Sequence, residues 1–91
     1  MLKIIISNKA YKDIKRAKKR HYDMELFKTV IFRLANNEIL EPKYNDHPLS
    51  GKWSGCRECH LKPDWLLIYR IKNEILSIEV VRLGSHSDLF K

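Results

Sequence analysis

No stretch of this 91-residue chain approaches the roughly 20 apolar residues that a bilayer-spanning helix requires. The opening Met1-Leu2-Lys3-Ile4-Ile5-Ile6 is too short for a secretory leader, and no small-residue cleavage site follows it. The expectation is therefore a cytoplasmic protein with no membrane partner. There is no internal repeat, no linker and no low-complexity segment. Cysteine is limited to Cys56 and Cys59, which excludes a four-cysteine zinc site, and the histidines lack zinc-finger spacing. No cluster rich in Asp and Glu offers a carboxylate metal site, so neither metal nor cofactor is expected. The length suits one domain, residues 1–91, around one modest core. Charged residues at 32% against 44% apolar exclude a disordered chain.

Acidic residues are scarce where basic ones gather. Residues 1–35 hold ten Lys or Arg and three Asp or Glu, leaving +7, whereas residues 36–91 hold eight of each and are neutral. A basic half beside a neutral half suits an oriented polyanion partner such as nucleic acid, an anionic membrane or an acidic protein. The plainer reading is a solvated helix face that maintains solubility.

Leu2 to Ile6 is short, apolar and β-branched, the pattern of a buried strand. Ser7 or Asn8 can cap a helix reaching about Arg20, with Ala10, Ile14, Ala17 and His21 on one stripe and Lys12, Lys15, Arg16, Lys19 and Arg20 mostly off it. Asp23 can cap a second helix with Phe27, Val30, Ile31 and Leu34 inward, ended by Asn36-Asn37. The short gap predicts an antiparallel helical hairpin. Residues 38–53, with Pro42, Pro48 and Gly51, predict a loop. Three strands follow, at about 56–62, 65–71 and 75–83, with turns at Pro63-Asp64 and Lys72-Asn73-Glu74. The middle strand is apolar on both faces and belongs inside the sheet. The fold class is α+β, ordered β-α-α-β-β-β, with the hairpin on one side of a small, mainly antiparallel sheet.

Cys56-Arg57-Glu58-Cys59 has C-x-x-C spacing but falls in a strand. Alternation there points the two thiols to opposite faces, so they are expected to be structural and reduced. His60 lies near the end of that strand and Asp64 in the turn beyond it. The third strand returns Arg82 and His86 to the same end of the sheet, and His47, in the preceding loop, can fold over them. A single histidine would be a surface or capping residue. Three beside a carboxylate point to proton transfer, because imidazole titrates nearest neutral pH.

In a basic protein, that set suits RNA cleavage by the neighbouring 2′-hydroxyl. A base takes the 2′-OH proton, a cation stabilises the phosphorane and an acid protonates the leaving 5′-oxygen. Arg82, Lys52 and Arg57 can hold phosphate oxygens, and Trp65 and Phe90 can stack on bases. Taken singly, each has a plainer reading: Trp65 as core, Phe90 as an anchor for the C-terminus, Lys52 and Arg57 as surface.

The second half also resembles the YafQ branch of the RelE-type bacterial toxins of type II toxin–antitoxin systems. The resemblance lies in Asp46-His47-Pro48-Leu49, Gly51, Trp53, Gly55, Arg57-Glu58-Cys59-His60, Pro63-Asp64-Trp65-Leu66-Leu67-Ile68-Tyr69 and Arg82-Leu83-Gly84-Ser85-His86-Ser87-Asp88-Leu89-Phe90. It implies a RelE-like fold and a ribosome-dependent, metal-independent mRNA endoribonuclease neutralised by an acidic antitoxin. DNA would be contacted only through that complex. The family's functional positions fall on His47, His60, Asp64, Trp65, His86 and Phe90. His86 is favoured as general acid; the base is His60 or Asp64, with His47 as base or substrate contact. The sequence also admits two other readings: a nucleic-acid-binding co-repressor without activity, supported by the basic first helix, and a ribonuclease acting on free RNA.

Overall fold

The computed structural model describes residues 1–90. Strand β1 (Lys3–Ile6) leads into helix α1 (Asn8–Lys19) and, after residues 20–23, helix α2 (Met24–Ala35). The two-residue strand β2 (His47–Pro48) is flanked by 3-10 turns at Pro42–Tyr44 and Gly51–Trp53. Strands β3 (Arg57–Lys62), β4 (Trp65–Lys72) and β5 (Ser77–Gly84) complete the sheet, and a one-turn helix, α3 (His86–Leu89), follows. The sheet order is β1-β5-β4-β3-β2, which places the apolar strand β4 at its centre as predicted. Only β1 runs parallel to its neighbour, β5. These two strands are far apart in sequence, so no tight hairpin obliges them to be antiparallel.

The helix ends follow from local chemistry. The Ser7 hydroxyl accepts the Ala10 N–H at 3.0 Å and the Asp23 carboxylate accepts the Leu26 N–H at 3.1 Å, so each satisfies a donor that its helix leaves free. Asn36 caps α2, and Asn37 turns the chain away at φ 61°. Phe27, Val30, Ile31 and Leu34 are buried as expected. With Ala10 and Ala17 of α1 they pack on Cys59, Leu61, Trp65, Leu67, Tyr69, Ile78, Val80 and Leu83, the residues of β3–β5 that face the helices. A smaller cluster on the opposite face joins Cys56, Leu66, Ile68 and Leu89, with Leu49, Trp53 and Val81 against it. Loop residues 49–56 and α3, rather than the two long helices, therefore cover that face.

Several boundaries differ from expectation. β1 is half-buried because it is an edge strand. The stripe on α1 ends at Ala17: His21 lies beyond the helix, exposed, at φ 59°. The stripe also contains Asp13, which is 2% exposed. The loop at 38–53 contains β2, because His47 and Pro48 pair with Glu58 and Arg57. The last strand starts at Ser77, since Asn73–Ile75 form a 3-10 turn closed by Leu76 at φ 49°.

α1 also completes the sheet. Where β1 stops, the outer edge of β5 has unpaired backbone groups, and a buried edge must find partners. The Ser7 hydroxyl donates to the Val81 carbonyl at 2.8 Å, and the Asp13 carboxylate accepts the Leu83 N–H at 2.9 Å. The same carboxylate takes Arg82 in a two-point contact, Nε at 2.7 Å and Nη2 at 3.1 Å. Register shifts between Ile68 and Tyr69, which lie opposite Arg82 and Val80, so Val81 bulges beside Arg82.

Candidate active site

Alternation along β3 turns Arg57, Cys59 and Leu61 toward the helices and Glu58 and His60 toward the other face. Glu58 is 6% exposed, and its Oε1 lies 3.2 Å from His60 Nε2 and 3.6 Å from His47 Nε2. Pairing of β2 with β3 sets His47 opposite Glu58. The His47 ring is further fixed by its Nδ1, 2.6 Å from the Asn45 carbonyl. A carbonyl only accepts, so Nδ1 carries hydrogen and a neutral ring has its lone pair on Nε2, toward Glu58. The loop behind it is held by Asp46, whose Oδ1 accepts the Tyr69 hydroxyl at 2.7 Å and Arg57 Nε at 3.2 Å. The His47 and His60 ring centres are 6.3 Å apart.

His86 opens α3, immediately beyond β5. Asp64 Oδ1 accepts both the His86 backbone N–H at 2.9 Å and its Nδ1 at 2.5 Å. These two contacts, backbone first, hold the Asp64 carboxyl below the ordinary carboxylate range. Asp64 is thus a better anchor for a ring than a proton acceptor, and it leaves His86 Nε2 open. The His60 and His86 ring centres lie 6.0 Å apart, nearly perpendicular. Phe90 packs beside His86 at 6.4 Å and edge-on to Trp53 at 5.9 Å, so the C-terminal aromatic borders the site while tying down the chain.

α3 is secured by a reciprocal cap. The Ser85 hydroxyl accepts the Asp88 N–H at 3.1 Å and Asp88 Oδ2 accepts the Ser85 N–H at 3.0 Å. Arg20 Nη1 adds a contact to the same oxygen at 2.9 Å. Burial opposes the Asp88 charge, but the Ser85 N–H and the Arg20 guanidinium outweigh it and bring the carboxyl down to about 2. A Cβ at Gly84 would sit 2.9 Å from Asp88 Cβ, so glycine is what lets α3 fold back this tightly.

His47, His60, Asp64, His86 and Phe90 come together as the sequence predicts. Arg82 and Lys52 line a neighbouring cleft with Lys9, Trp53 and Leu89, although Arg82 is largely engaged by Asp13. Two assignments are corrected. Trp65 is 3% exposed on the helix side, edge-to-face with Tyr22 at 5.1 Å, and presents no free face to a base. Arg57 points to that side as well and secures Asp46. Glu58 is the site residue that sequence reasoning passed over, although its i, i+2 relation to His60 places both on one face. Among the described residues, no group of three or more His, Cys, Asp or Glu side chains is disposed to hold a metal ion. Cys56 and Cys59 are both free and buried, in separate clusters on opposite faces, and burial pushes the Cys59 thiol up to about 12.

The profile of a family described as bacterial toxin of type II toxin-antitoxin system, YafQ, matches residues 2–91. The chain belongs to the YafQ toxin family. The mRNA interferase toxin YafQ of Escherichia coli K12 is 46% identical over 80 residues, 87% of this chain and 85% of that one. A metal-bound toxin from Helicobacter pylori superposes with a TM-score of 0.94 at 50% identity, covering 99% of this chain and all of that one. YafQ in the E. coli DinJ-YafQ complex superposes with a TM-score of 0.90 at 39% identity, covering both chains completely. The architecture that carries the histidine-bearing face is therefore the YafQ fold.

Proposed function

We propose that this chain is the mRNA-cleaving toxin of a type II toxin–antitoxin system and cuts by internal attack of the 2′-hydroxyl. One observation supports this above all: two carboxylate–imidazole pairs, Glu58–His60 and Asp64–His86, hold their rings 6.0 Å apart. A phosphodiester lying across the two rings meets a base at one and an acid at the other. His60 takes the 2′-OH proton as that oxygen bonds to phosphorus. Glu58, close to the ring, offsets the positive charge it acquires. The P–O5′ bond breaks, and His86 Nε2 delivers a proton to the departing oxygen. The products are a 2′,3′-cyclic phosphate and a 5′-hydroxyl. His47, on the far side of Glu58, shares that carboxylate and holds the substrate. Arg82 and Lys52 hold flanking phosphate oxygens, and Phe90 shapes the wall beside the leaving group.

The partners follow from the surfaces. An open groove of about 510 Å³ between α1, α2 and β1 is lined by Ile4, Ile6, Tyr11, Ile14, Met24 and Phe27, with Lys15, Lys18 and Lys28 beside them. An apolar floor with cationic edges suits an amphipathic acidic segment, the role of the antitoxin; the E. coli relative is solved with DinJ. Among the described residues, no helix is long and apolar enough to cross a membrane. On this reading the chain acts in the cytoplasm on mRNA held by the ribosome.

The test is His86→Ala assayed on mRNA with and without ribosomes. Cleavage by the wild type should require ribosomes and fall by about 100- to 10,000-fold in the variant, with the circular dichroism spectrum and ribosome binding retained. A folded variant that cleaves at the wild-type rate would remove His86 from the chemistry. Cleavage of free RNA would indicate a general ribonuclease, and a wild type that binds but never cleaves would indicate a regulatory module.

A further inference from the structure

We propose that Arg20 and Asp88 form a latch through which the first helix positions His86, so that α1 contributes to turnover as well as to docking. This rests on the assignment of His86 as general acid. α3 is a single turn, and so short a helix does not sustain itself without outside contacts. Leu89 inserts into the smaller apolar cluster, but Leu89 lies three residues beyond the ring it must hold in place. Asp88 supplies the directional restraint. Its Oδ2 receives Arg20 Nη1 at 2.9 Å, and Arg16 Nη2 stands 3.7 Å away. Arg16 also donates to Asp13 at 2.7 Å, and Asp13 holds Arg82 and the Leu83 N–H of β5. A continuous run of charge-assisted contacts thus joins the backbone of β5, the inner face of α1 and the side of α3. The far end of α3 is set by Asp64, which grips His86 at backbone and ring.

Releasing Arg20 leaves Asp88 with its internal cap and the longer Arg16 contact, and lets the turn pivot about Asp64 and Leu89. A misplacement of about 1 Å at a reacting group can cost on the order of 100-fold in rate. A half-exposed ion pair contributes little to global stability. The loss should therefore appear in turnover and in the environment of His86, not in the melting temperature.

The experiment uses Arg20→Ala and Asp88→Asn, which change net charge in opposite directions. Both are assayed on ribosomes programmed with a defined mRNA, and the His86 imidazole is followed by NMR through a pH titration of the free protein. The latch requires kcat to fall by about 10- to 100-fold in both. A role confined to attracting a polyanion would instead raise KM for Arg20→Ala and lower it for Asp88→Asn. Arg20→Lys, which keeps a charge in reach of Asp88, should recover most of the rate. The His86 titration should shift in both variants and return in Arg20→Lys. That arm does not depend on cleavage, so a wild type without nuclease activity would sink the functional reading and leave the latch under test. Rates within twofold of wild type, or an unmoved His86 titration in both variants, would overturn the latch.

Discussion

A carboxylate enclosed between two imidazoles governs what either ring can do. Glu58 is such a group: it is buried, accepts from His60 and faces His47 across the β2–β3 pairing. Replacing it by Gln preserves size and removes the charge that opposes a protonated ring. Glu58→Gln should lower kcat by about 10- to 1,000-fold, less than loss of the general acid, while KM changes little. A single-turnover assay on ribosome-bound mRNA measures this, and an unchanged rate would make Glu58 a structural residue. Glu58 is absent from the residues expected at the site, although period-two alternation puts it on one face with His60. The same rule, applied to the next strand, assigns Trp65 to the face of Leu67 and Tyr69 and hence to the core. Chemistry alone suits Trp65 to stacking, but register buries its ring against Tyr22. Register likewise separates Cys56 from Cys59, which lie in different clusters.

At the scale of elements, helices, strands and their order follow from patterning and caps that act within a few residues: Ser7 for α1, Asp23 for α2, Pro63-Asp64 between β3 and β4. The contacts that were not legible span the chain. Asp13 lies 70 positions from Leu83, and Arg20 lies 68 from Asp88, so no local pattern marks a buried acid among lysines as the partner of a sheet edge. The short strand β2 was also hidden, because two residues carry no period; only its partner β3 defines it. The docking of α3 has a pH dependence with a definite sign. Asp88 is depressed from the ordinary 3.8 to about 2, and Asp64 is lowered as well. A depressed carboxyl stabilises the fold above its unfolded value, and that contribution disappears as pH falls through its folded value. α3 should therefore stay docked at pH 5 and detach between about pH 4 and pH 2, before the sheet melts. Amide exchange at Ser85–Leu89 compared with β4 checks this. Simultaneous loss of α3 and β4 would show that α3 is not a separate unit.

For the whole molecule, the basic half divides into two populations. Arg16 and Arg20 are tied to the fold through ion pairs with Asp13 and Asp88. Lys9, Lys12, Lys15, Lys18 and Lys19 are exposed and make no ion pair among the described residues. The sequence shows one basic helix, whereas the structure shows internal ties along one side and free charge elsewhere. Free lysines displace counterions from a polyanion, while lysine-to-glutamine changes leave backbone and size nearly untouched. Changing Lys12, Lys15, Lys18 and Lys19 to Gln should weaken ribosome binding. It should also reduce the slope of log affinity against log salt by about 3, taking about 0.7 per phosphate contact on single-stranded nucleic acid. The turnover rate at saturation should remain near wild type, because none of the four side chains pairs with Asp88 or bonds to His47, His60 or His86. Since Lys15 and Lys18 also edge the apolar groove, the same variant should bind an acidic antitoxin less tightly. Equilibrium binding at several salt concentrations provides the check. A slope equal to that of the wild type would show that the polyanion meets another face, and a fall in saturated turnover would mean that these lysines reach the reacting phosphate.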